Sequence, residues 1–355
     1  MEKEITYSDA GVDRDSRAES KANLSDFEKA YEYPMTKLPY NTIYSVGNGK
    51  YQDHVIEGVG TKVLIAQLAN KFDTIGIDAV AMTVNDIIRS GAKPVSLADN
   101  IDIHKSEPKI ISELVKGIKK GANQARVPIV GGEIADVKEL INGVSENPFH
   151  IICSCVGELT ENEIIWGNNL EIDDVIIGLR SSGLHSNGIS LVRRILFKKW
   201  GGKYNPFYIP NGFDTELVHE VLKPTKVYFE SFSKVAKKFK IKAAVHITGD
   251  AYLKFGKLMK FNDSKIGFEF NNFKPQPIFQ LVQDTAKDLG VTLTDKEFLK
   301  TFNLGWGFSF IVSKNSKDDL LDFLERNRVE ADVIGRITYS RNLVAIFRGN
   351  KIRLI

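Results

Sequence analysis

The chain has 355 residues, with 48 basic and 45 acidic side chains, and its net charge of +3 excludes a protein that coats nucleic acid or an anionic membrane. A hydrophobic fraction of 43% and a charged fraction of 26% are typical of a globular protein that buries a sizeable core. The length predicts two domains, and no apolar run approaches the roughly 20 residues that a membrane-spanning helix needs.

The N-terminus and the cysteines favour the cytoplasm. No apolar stretch follows the first charges, which argues against a secretion signal. Cys153 and Cys155 lie two residues apart on a predicted strand, where a disulfide between them would strain the backbone, so we interpret them as buried structural thiols. We expect a cytoplasmic protein whose partners are small molecules, not nucleic acid or membrane.

The first half of the chain indicates a mixed α/β unit behind a polar arm. Residues 1–40 are rich in charge and predict an arm outside the core. Apolar runs then alternate with helical patterns, as in an α/β unit. The predicted strands are 63–66, 127–130 and 151–156, and the predicted helices are 74–90 and 108–125.

A polar segment, 160–174, marks the predicted domain boundary. We place an N-terminal domain at residues 1–165 and a C-terminal domain at 170–355. The second half repeats the alternation of strands and helices. Its predicted elements are a strand at 175–179, a helix after Asn187, a helix at 225–239, a strand at 243–247, an apolar pattern at 302–312, a helix at 317–327 and a hairpin-like stretch at 331–348.

The segment Gly58-Val-Gly-Thr-Lys62 resembles a phosphate cradle. Its glycines let the backbone approach a ligand and expose N–H groups, while Thr61 and Lys62 offer a hydroxyl and a cation to phosphate oxygens. We expect it at the start of the strand 63–66. The alternative is a tight turn with a surface lysine.

The predicted helix 74–90 carries Asp78 and Asn85 on one face, with Asp86 about a quarter-turn away. These residues are poor helix formers, so their presence suggests a role. Carboxylate and amide oxygens suit Mg²⁺ held together with nucleotide phosphates. A solvated helix face is the alternative.

A third cluster, Gly131-Gly132-Glu133, follows the predicted strand 127–130 and places a carboxylate at the rim of a sheet, where ligands of α/β folds often bind. Asp99 is a weaker candidate of the same kind. An ordinary turn is the alternative for both.

In the second half, Ser181-Ser-Gly-Leu-His-Ser-Asn-Gly188 joins a strand to an amphipathic helix. Free N–H groups in the first turn of that helix favour an anion such as a phosphate monoester. His185 could donate to the phosphate or move a proton near neutral pH, and a purely structural histidine is the alternative.

Together these stretches resemble the phosphoribosylformylglycinamidine cyclo-ligases, the AIR synthetases of purine biosynthesis. The resemblance runs almost end to end and keeps the motifs in order. They are Thr6-Tyr-Ser-Asp-Ala-Gly-Val-Asp13, Gly58-Val-Gly-Thr-Lys62, Asp73-Thr-Ile-Gly-Ile-Asp-Ala-Val-Ala-Met-Thr-Val-Asn-Asp86, Val130-Gly-Gly-Glu133, Ser181-Ser-Gly-Leu-His-Ser-Asn-Gly188, His246-Ile-Thr-Gly249 and Phe302-Asn-Leu-Gly-Trp-Gly307.

The resemblance implies an ATP-dependent ring closure of formylglycinamidine ribonucleotide to aminoimidazole ribonucleotide, with release of ADP and phosphate. It also implies a two-domain α+β (mixed α/β) fold of the PurM-like ATP-binding superfamily. The N-terminal domains of that fold pair in a homodimer, and ATP and Mg²⁺ are the expected cofactors.

The resemblance and the anion argument together give the expected site. The expected ATP-binding residues are Gly58, Gly60, Thr61, Lys62, Asn85 and Asp86, with Lys21 as the arm lysine that reaches the nucleotide. The expected metal ligands are Glu57, Asn85, Asp86, Asp99 and Glu133. The expected substrate-binding residues are Ser182, His185, Ser186, Asn187, Gly188, Thr248 and Gly249. Lys62, His185 and His246 are the expected catalytic residues.

Two alternatives stay open at this point. One is an ATP enzyme of the same superfamily resembling thiamine-monophosphate kinase, and the other is a non-catalytic subunit that senses a nucleotide. The sequence departs from the family at Glu57, where aspartate is usual, and at Asp250-Ala251, where further glycines are typical. A mobile N-terminal arm that closes over ATP is also expected.

Overall fold

The computed structural model describes residues 3–22, 35–263 and 265–355. Their chain forms two mixed β-sheets, one in each half, with helices packed on them, which confirms the predicted α+β class. The segment Glu161–Asp174 lies between the last strand of the first sheet and the first strand of the second.

The N-terminal half carries a six-stranded sheet with helices on one face. The chain begins with β1 (Lys3–Glu4) and α1 (Arg14–Ala22). The other strands and helices of this half follow in chain order. They are β2 (Met35–Lys37), β3 (Thr42–Gly47), β4 (Lys50–Gly58), α2 (Lys62–Ala69), α3 (Ile75–Ile88), β5 (Lys93–Ile103), α4 (Pro108–Ala125), β6 (Ile129–Asp136) and β7 (Phe149–Thr160). The strand order is β2-β3-β4-β7-β5-β6.

Helix α3 is the central element of this half, because every one of its residues is buried. Its neighbour α4 begins with Pro108 at the first helical position and ends where Arg126 takes a left-handed conformation, the usual start and stop of a helix. The two helices pack closely at Gly76, where a Cβ atom would collide with the backbone of residues 114–118. Both predicted helices, 74–90 and 108–125, are thus confirmed.

The C-terminal half carries a seven-stranded sheet. The strands of this half are β8 (Val175–Arg180), β9 (Ala243–His246), β10 (Gly267–Phe270), β11 (Val291–Thr292), β12 (Trp306–Val312), β13 (Ala331–Thr338), β14 (Leu343–Phe347) and β15 (Asn350–Arg353). The strand order in the sheet is β15-β14-β10-β13-β8-β12-β9, and β11 lies outside it. The helices are α5 (Ile189–Leu196), α6 (Leu217–Val221), α7 (Phe229–Ala236), α8 (Phe255–Phe261), α9 (Pro277–Asp288), α10 (Asp295–Thr301) and α11 (Lys317–Arg326).

The described part of the N-terminal arm packs on the C-terminal half. Strand β1 pairs in parallel with β11, with Lys3 opposite Val291. Tyr7 is 8% exposed and belongs to the core, and its backbone N–H donates to Glu297 Oε1 at 3.1 Å. Arg14 donates to the same oxygen at 2.8 Å. The expectation of an arm wholly outside the core is therefore wrong for these residues, because a polar segment holds one buried tyrosine and a paired arginine.

The predicted strand 63–66 is wrong, because these residues lie in helix α2. A short apolar run cannot be assigned to strand or helix by periodicity alone. The sequence also predicts residues 131–133 to follow a strand, but β6 begins at Ile129 and continues through them to Asp136.

Two predictions for the second half also differ from the structure. Strands β13 and β14 do not form a hairpin, because β10 lies between them, and β14 pairs instead with β15. The predicted helix 225–239 shortens to α7, and residues 225–228 are non-helical. Their backbone N–H groups are then available to side chains of α3.

Cys153 and Cys155 are free and buried, as their spacing on a strand predicts. They pack on the inner face of the N-terminal sheet, and burial raises the pKa of the Cys155 thiol to about 12. Within residues 3–22, 35–263 and 265–355, no helix combines the length and apolarity that crossing a membrane requires.

Candidate functional site

The motif Gly58-Val-Gly-Thr-Lys62 forms a strand–turn–helix junction, since Gly58 ends β4 and Lys62 begins α2. Gly60 has a φ of +71°, and a Cβ atom built there would meet nothing within 4 Å. None of the backbone hydrogen bonds of the described residues uses the N–H of Gly60 or Thr61. The turn is open to a ligand and presents donors, as an anion site requires.

Lys62 points away from that open turn and into the protein. Its Nζ atom lies 2.9 Å from Asp78 Oδ1 and 2.7 Å from the carbonyl oxygen of Lys223, and both Lys62 and Asp78 are fully buried. Burial lowers the pKa of Lys62, and the carboxylate of Asp78 opposes this shift. The alternative of a surface lysine is therefore wrong.

Asp78 joins α3 to the C-terminal half. Its Oδ1 atom also accepts from Ser186 Oγ at 3.0 Å and from the backbone N–H of Thr225 at 2.7 Å. We call Lys62, Asp78, Ser186 and Thr225 the Asp78 cluster. The other carboxylate oxygen, Oδ2, is buried without a hydrogen-bond partner among the described residues. The alternative of a solvated helix face is excluded, because a solvated carboxylate would not be enclosed in this way.

Two turns further along α3, Asn85 makes a second bridge between the halves. Its Nδ2 donates to the carbonyl oxygen of Lys226 at 2.9 Å, and its Oδ1 accepts from the N–H of Tyr228 at 2.9 Å. Its Nδ2 also lies 3.4 Å from His246 Nε2. The amide therefore serves as a connector, and all of its hydrogen-bonding groups are used.

Asp86, Arg89, His246 and Lys254 form what we call the Asp86 cluster. Asp86 Oδ1 lies 2.8 Å from His246 Nδ1 and 3.0 Å from Arg89 Nη1. Burial alone would raise the pKa of Asp86, but the charges of Arg89 and Lys254 and the bond to His246 hold it well below its usual range. Asp86 is thus an anion neutralised by neighbouring cations.

His246 is fully buried, and its burial lowers its pKa to about 4 against the opposing effect of Asp86. A neutral imidazole that donates from Nδ1 to the carboxylate leaves Nε2 as an acceptor for Asn85. Both ring nitrogens then have partners. In this arrangement His246 orients Asp86 and Asn85.

The polar network continues to the first sheet through residues that the sequence did not single out. Arg89 Nε donates to Asn41 Oδ1 at 2.7 Å, and Asn41 Nδ2 donates to Asp53 Oδ2 at 2.6 Å. Burial raises the pKa of Asp53 to about 6. The sequence could have indicated the pairing of Arg89 with Asp86, because residues three apart on a helix are neighbours. No sequence pattern indicates that Asn41 and Asp53 join this network.

The expected metal ligands do not converge in the described chain. Glu57 pairs with Cys153 on β7 and contributes to the electrostatic environment of Lys254, whereas Asp99 lies beneath Gly132 beside Cys153. Glu133 lies opposite Asn100, one position along and therefore on the other face of the sheet. Among the described residues, no group of three histidine, cysteine or carboxylate side chains is placed to hold a metal ion.

The turn Ser181–Gly188 holds His185 in a left-handed conformation with a φ of +61°. Its Nε2 accepts from the backbone N–H of Ser182 at 3.2 Å, and its Nδ1 is buried without a partner. Burial, followed by the nearby His246 and Lys62, lowers the pKa of His185 well below its usual value. The side chain is 1% exposed, so it is a neutral interior group here.

The rest of the expected substrate site lies around the start of α5. Burial raises the pKa of Tyr7 and the backbone of Gly188 opposes this shift, so the arm tyrosine lies beside one of the expected donors. Asn187 Nδ2 is buried without a partner, while a Cβ atom on Gly249 would lie 3.2 Å from Asn187 Oδ1. Ser182 Oγ donates to the carbonyl oxygen of Pro224 at 2.6 Å, and Thr248 is buried beside Gly249.

The structure thus gathers several expected residues along α3 and leaves others apart. Lys62 and Ser186 meet at Asp78. Asn85 and Asp86 meet at His246. His185 lies near enough to His246 and Lys62 for their charges to lower its pKa. Asp99 lies on β5 and Glu133 on β6, and neither belongs to the Asp78 cluster or the Asp86 cluster. Lys21 is in α1, and its side chain lies outside the described residues.

Comparison with known proteins places both halves in one family. Residues 41–159 match the AIR synthase related protein, N-terminal domain, and residues 171–348 match the AIR synthase related protein, C-terminal domain. A phosphoribosylformylglycinamidine cyclo-ligase from Pyrococcus horikoshii is 33% identical over 329 residues, which cover 91% of this chain and 92% of that protein.

Solved structures share the fold at low identity. Thiamine-monophosphate kinase from Stenotrophomonas maltophilia K279a has a TM-score of 0.62 at 15% identity, covering 86% of this chain and 88% of that chain. T. maritima PurL complexed with ATP has a TM-score of 0.59 at 13% identity, covering 91% of this chain and 47% of that chain. These likenesses concern the fold alone, whereas the sequence match over both domains shows that the chain belongs to the phosphoribosylformylglycinamidine cyclo-ligase family.

Proposed function

We propose that this protein catalyses the ATP-dependent ring closure of formylglycinamidine ribonucleotide to aminoimidazole ribonucleotide, ADP and phosphate. The observation that carries the proposal is the 33% identity over 91% of the chain to a protein of that name. The low-identity likeness to a thiamine-monophosphate kinase does not favour the kinase alternative, because the fold is common to both.

The open turn at Gly60 supports ATP binding at Gly58, Gly60, Thr61 and Lys62. The N–H groups of Gly60 and Thr61 are available, and the space above Gly60 lets phosphate oxygens approach the backbone. The Lys62 side chain lies behind this turn and is paired with Asp78. Its positive charge would therefore act on a bound nucleotide at a distance, without direct contact. The solved PurL that shares this fold was complexed with ATP.

Substrate binding is supported by hydrogen-bond donors near the start of α5 that have no partner among the described residues. Asn187 Nδ2 is the strongest of them, because a buried amide without a partner carries a free-energy cost that a ligand oxygen would remove. Gly188, Thr248 and Gly249 adjoin it, and Ser182 and His185 shape the turn. The phosphate of the substrate would bind at this turn.

The proposed chemistry transfers the γ-phosphoryl group of ATP to the formamide oxygen of the substrate. The amidine nitrogen then attacks the formyl carbon, the C–O bond breaks, and the oxygen leaves with inorganic phosphate. The formamide nitrogen and the attacking nitrogen each lose one proton. Positioning and charge neutralisation dominate catalysis of this type. The Asp78 and Asp86 clusters fix both halves around α3 and so supply the positioning.

The expected metal ligands have no part in these steps as the structure places them. Asp86 is paired with Arg89 and His246, and Asp99 and Glu133 lie on opposite faces of the sheet, so the residues as placed do not form a Mg²⁺ site. Magnesium usually keeps several waters and binds with nucleotide phosphates. Magnesium ligation by Glu57, Asn85, Asp86, Asp99 or Glu133 stays a prediction for the nucleotide complex.

The outer face and edge of the N-terminal sheet support a homodimer. Ile56 is 68% exposed, and Val130 and Ile134 on the edge strand β6 are 66% and 45% exposed. A second copy covering these side chains would bury apolar area and protect the open edge of β6. It would also bring a partner surface close to Glu133.

We also propose that the protein works in the cytoplasm. The two thiols are free, as expected where disulfides are kept reduced. Fractionation of the native host, with detection of the protein in the cytosolic extract, tests this location.

The release of phosphate from ATP tests the activity. Three reactions should be compared, with formylglycinamidine ribonucleotide, with thiamine monophosphate and without an acceptor. Stimulation by the first compound alone, with aminoimidazole ribonucleotide as product, is the expected result. Stimulation by thiamine monophosphate would replace the proposal with a kinase, and the absence of any stimulation would indicate a nucleotide sensor.

A further inference from the structure

A cavity lies at the junction of the two halves, away from the Asp86 cluster. It has a volume of about 730 Å³, within the range of small-molecule sites. Lys242, which precedes strand β9, lines the cavity, whereas His246 at the other end of β9 belongs to the Asp86 cluster. Four residues of a strand separate them by roughly 13 Å.

The walls of this junction cavity come from both halves and from the segment between them. Gly91 to Lys93 follow the end of α3, and Glu161 to Trp166 belong to the connecting segment. Residues of α7 and Lys237, which follows it directly, complete the walls. The connecting segment is fixed at both sides of Trp166. Ile165 donates its N–H to the Ser90 carbonyl oxygen at 2.9 Å, and Gly167 donates to that of Lys242 at 3.2 Å.

Gly91 shows how tightly this wall is built. Its φ is +99°, and a Cβ atom there would collide with the carbonyl oxygen of Glu163. The connecting segment therefore packs directly on the end of α3. A cavity with such walls is formed before any ligand arrives, which lowers the entropic cost of binding.

The chemistry of the lining combines an exposed aromatic ring with exposed lysines, of which Lys240 also acts on the charge of Glu171. Trp166 is 38% exposed, although its backbone is fixed on both sides. Lys93, Lys237 and Lys240 line the same cavity and are exposed, and the described residues give none of them an ion pair within 4 Å. Lys242, in contrast, is held by Asp174 and Glu171.

Two carboxylates also line the cavity, Glu161 and Glu163. Glu163 accepts from the backbone N–H and the hydroxyl of Thr160, so its charge is already stabilised locally. Lys93, Lys237 and Lys240 outnumber these two carboxylates, and this excess of positive charge favours an anion. An indole next to lysines is suited to a planar ring that carries a phosphate, since the ring stacks and the phosphate meets the cations.

We propose that the junction cavity binds a nucleoside monophosphate, with its base against Trp166 and its phosphate at Lys237 and Lys240. The site is separate from the proposed ATP turn at Gly60. Because both halves contribute walls, an occupant would hold them together near the end of α3.

Calorimetric titration with AMP tests the site, in the presence of a saturating non-hydrolysable ATP analogue that fills the ATP turn. Adenosine and inorganic phosphate serve as probes that lack the phosphate or the ring. The variants are K237Q/K240Q and W166A. The matched control is K238Q, because Lys238 is an exposed neighbour that packs over Phe323 and does not line the cavity.

We expect AMP to bind with the analogue present and to bind K237Q/K240Q about tenfold or more weakly, since bonds to charged groups are worth that much. W166A should also bind AMP more weakly, whereas K238Q should match the wild type. Adenosine and phosphate should each bind more weakly than AMP. Competition between AMP and the analogue, equal affinity of K237Q/K240Q and K238Q, or no AMP binding at all would overturn the proposal.

Discussion

The Nζ atom of Lys62 lies 2.9 Å from Oδ1 of Asp78, and neither side chain is exposed to solvent. The pair connects the end of the phosphate-cradle turn to the central helix α3, and through Thr225 to the C-terminal half. A lysine that the sequence suggests for phosphate contact is thus also part of a connection between the two halves. Its loss should therefore reduce stability as well as activity.

Replacement of Lys62 by alanine should lower the free energy of unfolding by about 3–5 kcal/mol, because it leaves the buried charge of Asp78 unpaired. Urea denaturation measures this change. The control is K71A, which breaks the more exposed pair of Lys71 with Asp73 and should cost less than about 1 kcal/mol. Equal losses for the two variants would contradict the assigned role of Lys62.

Alanine substitutions at Gly60 and Gly91 compare the cost of backbone strain alone with the cost of strain plus a steric collision. Gly60 and Gly91 both have positive φ angles, but a Cβ atom meets open space at Gly60 and the Glu163 carbonyl at Gly91. We expect G60A to lose roughly 1–2 kcal/mol of unfolding free energy from strain alone. G91A should lose clearly more, as measured by the shift of the urea midpoint. A G91A protein as stable as G60A would show that the connecting segment is not packed as described.

The depressed pKa of His246 predicts a pH dependence of stability. Below pH 6.5 the unfolded chain binds a proton at this residue, whereas the folded protein does not until about pH 4. The wild type should therefore lose stability relative to His246→Asn as the pH falls from 6.5 to 4, by roughly 3 kcal/mol. Unfolding curves at several pH values measure the difference. Parallel pH profiles would contradict the burial of a neutral imidazole.

The raised pKa of Asp53 predicts a pH dependence of stability opposite in sign to that of His246. Its folded pKa is raised to about 6 from an ordinary value of 3.8, so the folded protein binds a proton there before the unfolded chain does. Relative to Asp53→Asn, the wild type should gain stability as the pH falls through 6 towards 4. Each comparison uses its own variant because the two effects overlap between pH 4 and 6. A wild type that loses stability relative to Asp53→Asn would contradict this assignment.

The arm contact of Arg14 predicts a local effect. Arg14 donates to Glu297, to the Lys300 carbonyl oxygen and to Thr301, whereas Arg17 on the same helix is exposed. R14A should increase the amide hydrogen exchange of residues 3–20 severalfold, because local opening of the arm becomes easier. R17A is the matched control and should leave the exchange unchanged. The same exchange rate in both variants would mean that the arm is held by other contacts.

The sequence predicts local elements well where periodicity and end signals agree. Pro108 and the left-handed Arg126 delimit α4, and the predicted range 108–125 matches. Sequence-based prediction fails where the order of strands in a sheet depends on segments that are distant in the chain. The turn from β13 to β14 is short enough for a hairpin, yet β10 inserts between them from far earlier in the chain.

The same limit applies to the site. Asn85, Asp86 and His246 could be singled out from the sequence as residue types suited to chemistry. Their mutual contacts depend on the packing of β9 against α3, which no local pattern encodes. Lys254, whose charge lowers the pKa of Asp86, comes from a distant part of the chain, so no local pattern indicates it.

The pairing of β1 with β11 also bears on how the chain is made. Lys3 leaves the ribosome about 290 residues before its partner Val291. At 5–20 residues per second this delay is roughly 15–60 s. During that time Tyr7 has no core to enter, so the arm is a late addition to a protein whose first sheet can already have formed.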